Sequence, residues 1–112
     1  MKTIKIVPYR ALLHITENFG EWSKTYTKLS GFSYPQEGTG GLTYDNQDGN
    51  YYVWIGDGTI NSLVHELSHV SLMVAARCQL EDIVKNQEPF CYLLGHLAQE
   101  SMKVLPSFKG AK

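Results

Sequence analysis

The chain of 112 residues has a mass of 12.6 kDa, the size of one globular domain. Hydrophobic residues make up 43% and charged residues 19%, which excludes a disordered, collagen-like or coiled-coil chain. Lys and Arg number 10 against 11 Asp and Glu, a net charge of -1, so we expect neither a nucleic-acid partner nor an anionic membrane surface. The whole chain, residues 1–112, is therefore predicted to form one domain.

The first half of the chain predicts a strand and a short helix. Residues 5–16 are rich in Ile, Val, Tyr and Leu and predict a strand, interrupted or edged by Pro8, which cannot donate to a sheet. Asn18 followed by Glu21 has the form of a helix capping box. Aromatic residues then recur at helical spacing until Gly31, where we expect the helix to end.

The second half predicts a hairpin and two helices. After a glycine-rich loop over residues 32–41, two strand-like segments at 42–45 and 50–56 flank a turn sequence. Thr59 is placed to cap a helix that runs to about Arg77, and Pro89 begins a last helix that runs to about Leu105. The tail from residue 107 is expected to fray. This order predicts an α+β fold, with a small, mainly antiparallel sheet packed on a buried central helix and a C-terminal helix.

The first five residues, Met-Lys-Thr-Ile-Lys, lack the apolar region and small-residue cleavage site that are typical of a secretory signal. We therefore expect a cytoplasmic protein that is not secreted by a signal peptide. In a reducing compartment Cys78 and Cys91 would be free thiols, and we expect them to be mostly buried.

The central helix carries the most informative sequence, His-Glu-Leu-Ser-His at residues 65–69. His69 lies about 40° around the helix from His65 and one turn further on, so both imidazoles can reach one ion. Glu66 lies about 60° beyond His69, where its carboxylate can reach a water bound to that ion. Apolar residues cover nearly every direction of this helix, so we expect it to be buried, and a metal ion would then give the three polar groups a partner.

Zinc is the metal that this pattern favours, because two imidazoles, one carboxylate and an open water position form its usual hydrolytic site. The third ligand has to come from elsewhere, and the sequence leaves several choices open. Glu88 at the start of the last helix is the first choice, followed by His96 on the same helix. The loop acids Glu81 and Asp82, and Cys91, are the remaining candidates.

Two segments resemble a known family. The segment at residues 65–69 is similar to the zincin metallopeptidase motif, and Asn-Gln-Glu at 86–88 resembles the glutamate helix of the gluzincins, the thermolysin-like branch. Residues 63–69 and 86–95 together resemble those of small, uncharacterised tailed-bacteriophage proteins described as metallopeptidases. A phage origin would place the protein in the host cytoplasm.

The resemblance implies a compact zincin-like domain that binds one Zn²⁺ ion. His65, His69 and Glu88 would be its ligands and Glu66 the general base. It also implies an edge strand beside the metal helix, expected at residues 51–55, that could hold an extended peptide by main-chain pairing.

A further donor would share the negative charge that develops on the substrate oxygen. We expect Tyr92 in this role, because it lies on one helix face with Glu88 and His96. His96 on that face is an alternative donor, and Tyr51 or Tyr52 could instead enter from the hairpin.

Two functions follow from these residues. The first is a zinc-dependent hydrolase, a peptidase that acts on a peptide or protein substrate. The alternative is a zinc-binding interaction or regulatory protein with little or no proteolytic activity, since a small domain gains stability from a bound metal. Glu66 favours the hydrolase, because a structural zinc site does not need a carboxylate beside bound water.

Overall fold

The computed structural model describes residues 1–35, 38–80 and 82–110 and confirms the predicted α+β class. Within these residues no helix is both long and apolar enough to cross a membrane. The elements in chain order are β1 (Lys2–Ile6), β2 (Ala11–Thr16), α1 (Phe19–Ser30), β3 (Gly41–Asp45), β4 (Asn50–Ile55), α2 (Ile60–Arg77), α3 (Glu88–Val104) and a short 3₁₀ helix (Pro106–Phe108).

The four strands form one mixed sheet in the order β1-β2-β4-β3. β2 pairs with β4 in parallel, while the β1–β2 and β3–β4 pairs are antiparallel. The predicted edge strand at 51–55 was wrong, because β4 lies between β2 and β3. The strand at the edge of the sheet beside α2 is β3.

The single strand predicted over residues 5–16 is two strands joined by a turn around Pro8. The Tyr9 amide donates to the Ile6 carbonyl at 3.0 Å, and Arg10 has a positive φ of 52°. Because proline cannot continue the hydrogen-bonded ladder, the apolar segment folds back on itself here.

The core lies between one face of the sheet and helices α2 and α3. Alternate strand residues point into it, as expected for a strand whose side chains change face at every position. The central members of the core are Leu13, Ile15, Tyr51, Val53, Ile55, Leu63, Leu67, Val70, Val74, Leu93 and Leu97. Helix α1 covers the other face, where the buried Trp22 donates from Nε1 to the Tyr52 carbonyl at 3.0 Å.

The predicted helix ends are largely confirmed. Asn18 accepts a hydrogen bond from the Glu21 amide at the start of α1, and Gly31 ends that helix with a φ of 81°. Thr59 accepts from the Ser62 amide at the start of α2. The fraying predicted from residue 107 was wrong for Ser107 and Phe108, because they lie in the 3₁₀ helix and Phe108 is buried in the core. Residues 111–112 lie outside the described residues.

Helix α2 is buried on one side only, which corrects the expectation of burial all round. The sheet and α3 cover the side that carries Leu67 and Val70. Val64, at the margin of that side, is 37% exposed, and on the opposite side Leu72 is 44% exposed. Nothing else in the described part of the chain covers that side.

The cysteines are free, and they are less buried than expected. Cys78 at the end of α2 is half-buried and packs against the core, whereas Cys91 on α3 is exposed. Cys91 lies on the side of α3 that faces away from the packed residues Leu93 and Leu97.

Acid should weaken the start of α2 through Asp57. This carboxylate accepts hydrogen bonds from the Thr59 amide and hydroxyl and from the Ser62 hydroxyl, and the Ser62 bond in particular holds the pKa of Asp57 below its usual value. A carboxyl group whose pKa is lower in the folded state stabilises the fold above its unfolded pKa, and that contribution is lost as the pH falls through the folded pKa. Between about pH 5 and about pH 2, Asp57→Asn should therefore lose less in Tm than the wild type.

Thermal unfolding followed by circular dichroism across this pH range checks the prediction. If the Tm of the two proteins fell by the same amount between these pH values, the hydrogen bonds of Asp57 would contribute nothing to acid sensitivity.

Candidate metal centre

The predicted metal-binding residues of α2 line a shallow cleft beside the edge strand β3. The loop before β3 and the strand itself form one wall, and one side of α2 forms the other. The lining residues are Thr39, Gly41, Leu42, Thr43, His65, Glu66, His69 and Met73.

The two histidines point at a common place. His65 Nε2 and His69 Nε2 are 3.3 Å apart, and the two ring planes are inclined at 81°. A tetrahedral zinc ion with Zn–N bonds of 2.0–2.1 Å requires two ligand nitrogens about 3.3–3.4 Å apart. The donor pair therefore has the spacing of two ligands on one zinc ion, and without a metal the same contact is a hydrogen bond between the imidazoles.

The histidines are more exposed than the sequence predicted. The His65 side chain is 66% exposed, and His69 is exposed as well. The expectation that two buried histidines would need a metal partner was therefore wrong, since water can solvate both rings. What favours a metal is the spacing of the two nitrogens and the open approach to them.

Glu66 is the buried member of the group, only 7% exposed. Its Oε1 accepts a hydrogen bond from the Thr43 hydroxyl of β3 at 2.6 Å. Its Oε2 lies 3.9 Å from His65 Nε2. One carboxylate oxygen is thus held by the edge strand, and the other lies beside the histidine pair.

The predicted third ligand lies away from this cleft. Glu88 is exposed at the first position of α3 and borders a separate cleft with Gln79, Leu80 and the loop before α3. In the described residues no group of three or more His, Cys, Asp and Glu side chains is arranged to hold a metal. The structure brings His65, Glu66 and His69 together but leaves Glu88 apart from them.

The alternative ligands are not at the cleft either. His96 is half-buried on α3, and Asp82 and Cys91 are exposed outside the lining residues. Glu81 lies outside the described residues. On geometric grounds none of the three described side chains, His96, Asp82 and Cys91, replaces Glu88.

The tyrosines considered as oxyanion donors lie elsewhere. Tyr92 is 60% exposed and stacks on His96, with ring centroids 6.1 Å apart. Tyr51 is fully buried, and that burial raises the pKa of its hydroxyl. Tyr52 stacks on His14, and its backbone carbonyl binds Trp22 of α1. None of the three lines the cleft.

Two residues of β3 were missed from the sequence, Gly41 and Thr43. A Cβ added at Gly41 would lie 2.8 Å from Glu66 Cγ and 2.8 Å from the Trp54 carbonyl oxygen. The helix therefore needs a glycine at this point of the strand. The only local signal was a glycine and a polar β-branched residue two positions apart, which share one face of a strand. Recognising their role required knowing that β3 lies beside α2.

Comparisons with known proteins do not assign this chain to a family. No family model, curated protein or solved structure gives a significant match to it. The resemblance to zincin metallopeptidases stays a prediction based on the two sequence segments.

A methyl group at Gly41 should disturb both the fold and the position of Glu66. Because the added carbon would meet a backbone oxygen as well as a side chain, we expect Gly41→Ala to lower the free energy of unfolding by about 1–3 kcal/mol. Urea unfolding of the purified variant measures this loss.

Gly95→Ala is the matched control. Gly95 lies within α3, and a Cβ there meets nothing within 4 Å. Because alanine favours a helix over glycine, this variant should be unchanged or more stable by up to about 1 kcal/mol. Equal stabilities of Gly41→Ala and wild type would contradict the close packing of β3 on Glu66.

Proposed function

We propose that this protein is a zinc-dependent hydrolase that cleaves a peptide or protein substrate. His65 and His69 would hold the ion, and Glu66 would act as general base. The observation that carries the proposal is the 3.3 Å spacing of the two Nε2 atoms next to a buried carboxylate whose Oε2 lies 3.9 Å from His65 Nε2. This spacing fits one zinc ion, and the carboxylate has the place that a general base needs.

Zinc, when bound, supplies a water whose pKa falls toward about 7 and a positive charge that polarises the scissile carbonyl. The chain's own contribution is proton transfer at Glu66. Its Oε2 would take the proton from the attacking water and return it to the leaving amine. The low exposure of this carboxylate limits competition from bulk water.

An extended peptide is the substrate class that the cleft fits best. β3 is one of the two edge strands and the one beside α2, so its outer backbone groups have no partner strand in the described residues. Gly41, Leu42 and Thr43 of this strand line the same cleft as the histidines. A peptide that pairs with β3 by main-chain hydrogen bonds would therefore pass close to the metal ligands. The pairing role predicted for residues 51–55 belongs to β3 in this proposal.

Glu88 is retained as the proposed third ligand because two imidazoles and one carboxylate are a common hydrolytic zinc set. Ligation by Glu88 requires the start of α3 to lie closer to the cleft than it does here. His96, one of the alternatives considered above, lies two turns further along α3. Both assignments can be tested with single substitutions.

A second candidate function has one observation in its favour. Val64 and Leu72 are exposed apolar residues of α2 outside its buried stripe, and Leu72 lies next to His65 around the helix. Such residues favour contact with another protein. In this case the domain would bind zinc and a partner protein without cleaving it.

Metal content is the first test. Purified wild-type protein should contain about one zinc per chain by mass spectrometry, and His69→Ala should lose it because only two of the three proposed protein ligands, His65 and Glu88, would remain. Glu66→Gln should keep it. His14→Gln is the control, since His14 bonds Thr3 and Asn50 away from the cleft. Zinc-free wild type after addition of zinc would overturn the proposal.

The third ligand is decided by comparing Glu88→Ala with His96→Ala. Loss of a protein ligand should weaken zinc binding by at least tenfold, so we expect the Glu88 variant to lose zinc in competition with a chelator. The His96 variant should retain it. The reverse result would assign the ligand to His96.

Peptide cleavage separates the two candidate functions. A library of fluorogenic peptides should be hydrolysed by the zinc-loaded protein, and Glu66→Gln should lower kcat by about 10²–10⁴-fold because the general base is removed. Zinc-loaded protein that binds a peptide without cleaving it would favour the interaction protein.

A further inference from the structure

The two oxygens of the Glu66 carboxylate have different surroundings. Oε1 accepts the Thr43 hydroxyl at 2.6 Å, whereas Oε2 lies 3.9 Å from His65 Nε2 and has no hydrogen bond to any described residue. The Thr43 hydroxyl is also 3.5 Å from the Glu66 carbonyl oxygen. The contact to Oε1 is much the shorter one and is the effective hydrogen bond.

The register of the sheet fixes Thr43 on the side that faces α2. Thr43 is opposite Val53 of β4, a fully buried core residue. Gly41 is two positions earlier on the same side, and its missing side chain leaves room for Glu66 Cγ. The edge strand thus offers a gap for the glutamate and a hydroxyl donor at the end of that gap.

We propose that Thr43 is a positioning residue for Glu66. Its hydroxyl holds Oε1 and thereby keeps Oε2 beside the histidine pair, as the oxygen that accepts the proton. This inference deepens the proposed hydrolase function and depends on it for its catalytic meaning. The Thr43 proton stays on Oγ1 throughout, because the hydroxyl only donates its hydrogen bond.

The physical basis is the freedom that a glutamate otherwise has. Three side-chain torsions separate the Glu66 carboxylate from the helix backbone, and without Thr43 the carboxylate could rotate away from the pair. A hydrogen bond to a charged acceptor is stronger than one between neutral groups. Displacement of a reacting group by about 1 Å can lower a rate by about 10²-fold. A single hydroxyl on the edge strand can therefore matter for catalysis without touching the substrate.

The first test uses metal-free protein and needs no activity. Thr43→Val has nearly the same shape as threonine but lacks the hydroxyl, so it should lower Tm by roughly 4 °C or more. In a Glu66→Ala background the same change should have little effect, because the acceptor is gone. This double-mutant cycle measures the coupling between the two side chains.

Thr25→Val controls for the loss of a hydroxyl as such. Thr25 on α1 is half-buried and donates to the Glu21 carbonyl, away from the cleft. Its effect on Tm should be the same with and without Glu66. Additive effects of Thr43→Val and Glu66→Ala would overturn the proposal.

The second test uses the zinc-loaded protein and a cleaved peptide. Thr43→Val should lower kcat by about tenfold or more with little change in KM and zinc content, and Thr43→Ser should restore kcat because serine supplies the same donor. A merely structural role would not give this rescue. An unchanged kcat in an active Thr43→Val protein would overturn the positioning role.

The metal-free test and the zinc-loaded test distinguish failure of the Thr43 proposal from failure of the hydrolase proposal. Wild type that holds zinc but cleaves no peptide would overturn the hydrolase proposal and, with it, the catalytic meaning of Thr43. The metal-free cycle would still decide whether Thr43 holds the Glu66 carboxylate.

Discussion

The rotation of α2 about its own axis decides where every polar group of the cleft lies. The helix must bury one apolar stripe against the sheet and α3, and this stripe consists of Leu63, Leu67, Val70 and Val74. Each residue advances about 100° around the helix, so the position of the stripe fixes the direction of all the others. With the stripe buried, His65 and His69 face outward and Glu66 faces β3. A helix rotated by one residue would place charged and polar groups in the core at a large cost.

The order of the strands supplies the other half of the arrangement. Because β2 and β4 pair in parallel, the chain between them has to cross from one end of the sheet to the other, and α1 and β3 lie in that crossing. β3 and β4 form a hairpin, so β3 lies outside β4 at the sheet edge beside α2. On the α1 side of the sheet, Trp22 Nε1 donates a hydrogen bond to the Tyr52 carbonyl, and Trp54 Nε1 donates one to the Glu17 carbonyl just before α1. The opposite face of the sheet is therefore covered, and the edge of β3 remains available in the described residues.

Local chemistry in the sequence was enough to predict most of the elements. Asn18, Gly31 and Thr59 act on backbone groups within a few residues of themselves, so their roles can be recognised without the fold. The close approach of His65 and His69 is likewise a property of one helical turn. These features needed no information about distant parts of the chain.

The features that sequence reasoning missed depend on distant contacts. Thr43 and Glu66 are 23 residues apart in sequence, and nothing in either segment indicates their hydrogen bond. Phe108 is buried only because the chain after α3 turns back onto the core. The exposed side of α2 was missed because its apolar residues suggested a second covering layer. A composition pattern shows which residues could be buried, but only the tertiary arrangement decides how many layers there are.

β3 combines two tasks that use different parts of the strand. Its backbone offers hydrogen-bonding groups at the sheet edge, while Gly41 and Thr43 meet Glu66 through their α-carbon and side chain. In the proposed hydrolase, a peptide paired to the edge would thus be held by the same strand that holds the general base. The distance between peptide and base would then be set within one rigid element rather than across a mobile junction. A substitution at residue 43 can therefore change the position of the Glu66 carboxylate without removing the backbone groups that would pair with the peptide. Positioning of the base and binding of the peptide are thus separable within one strand.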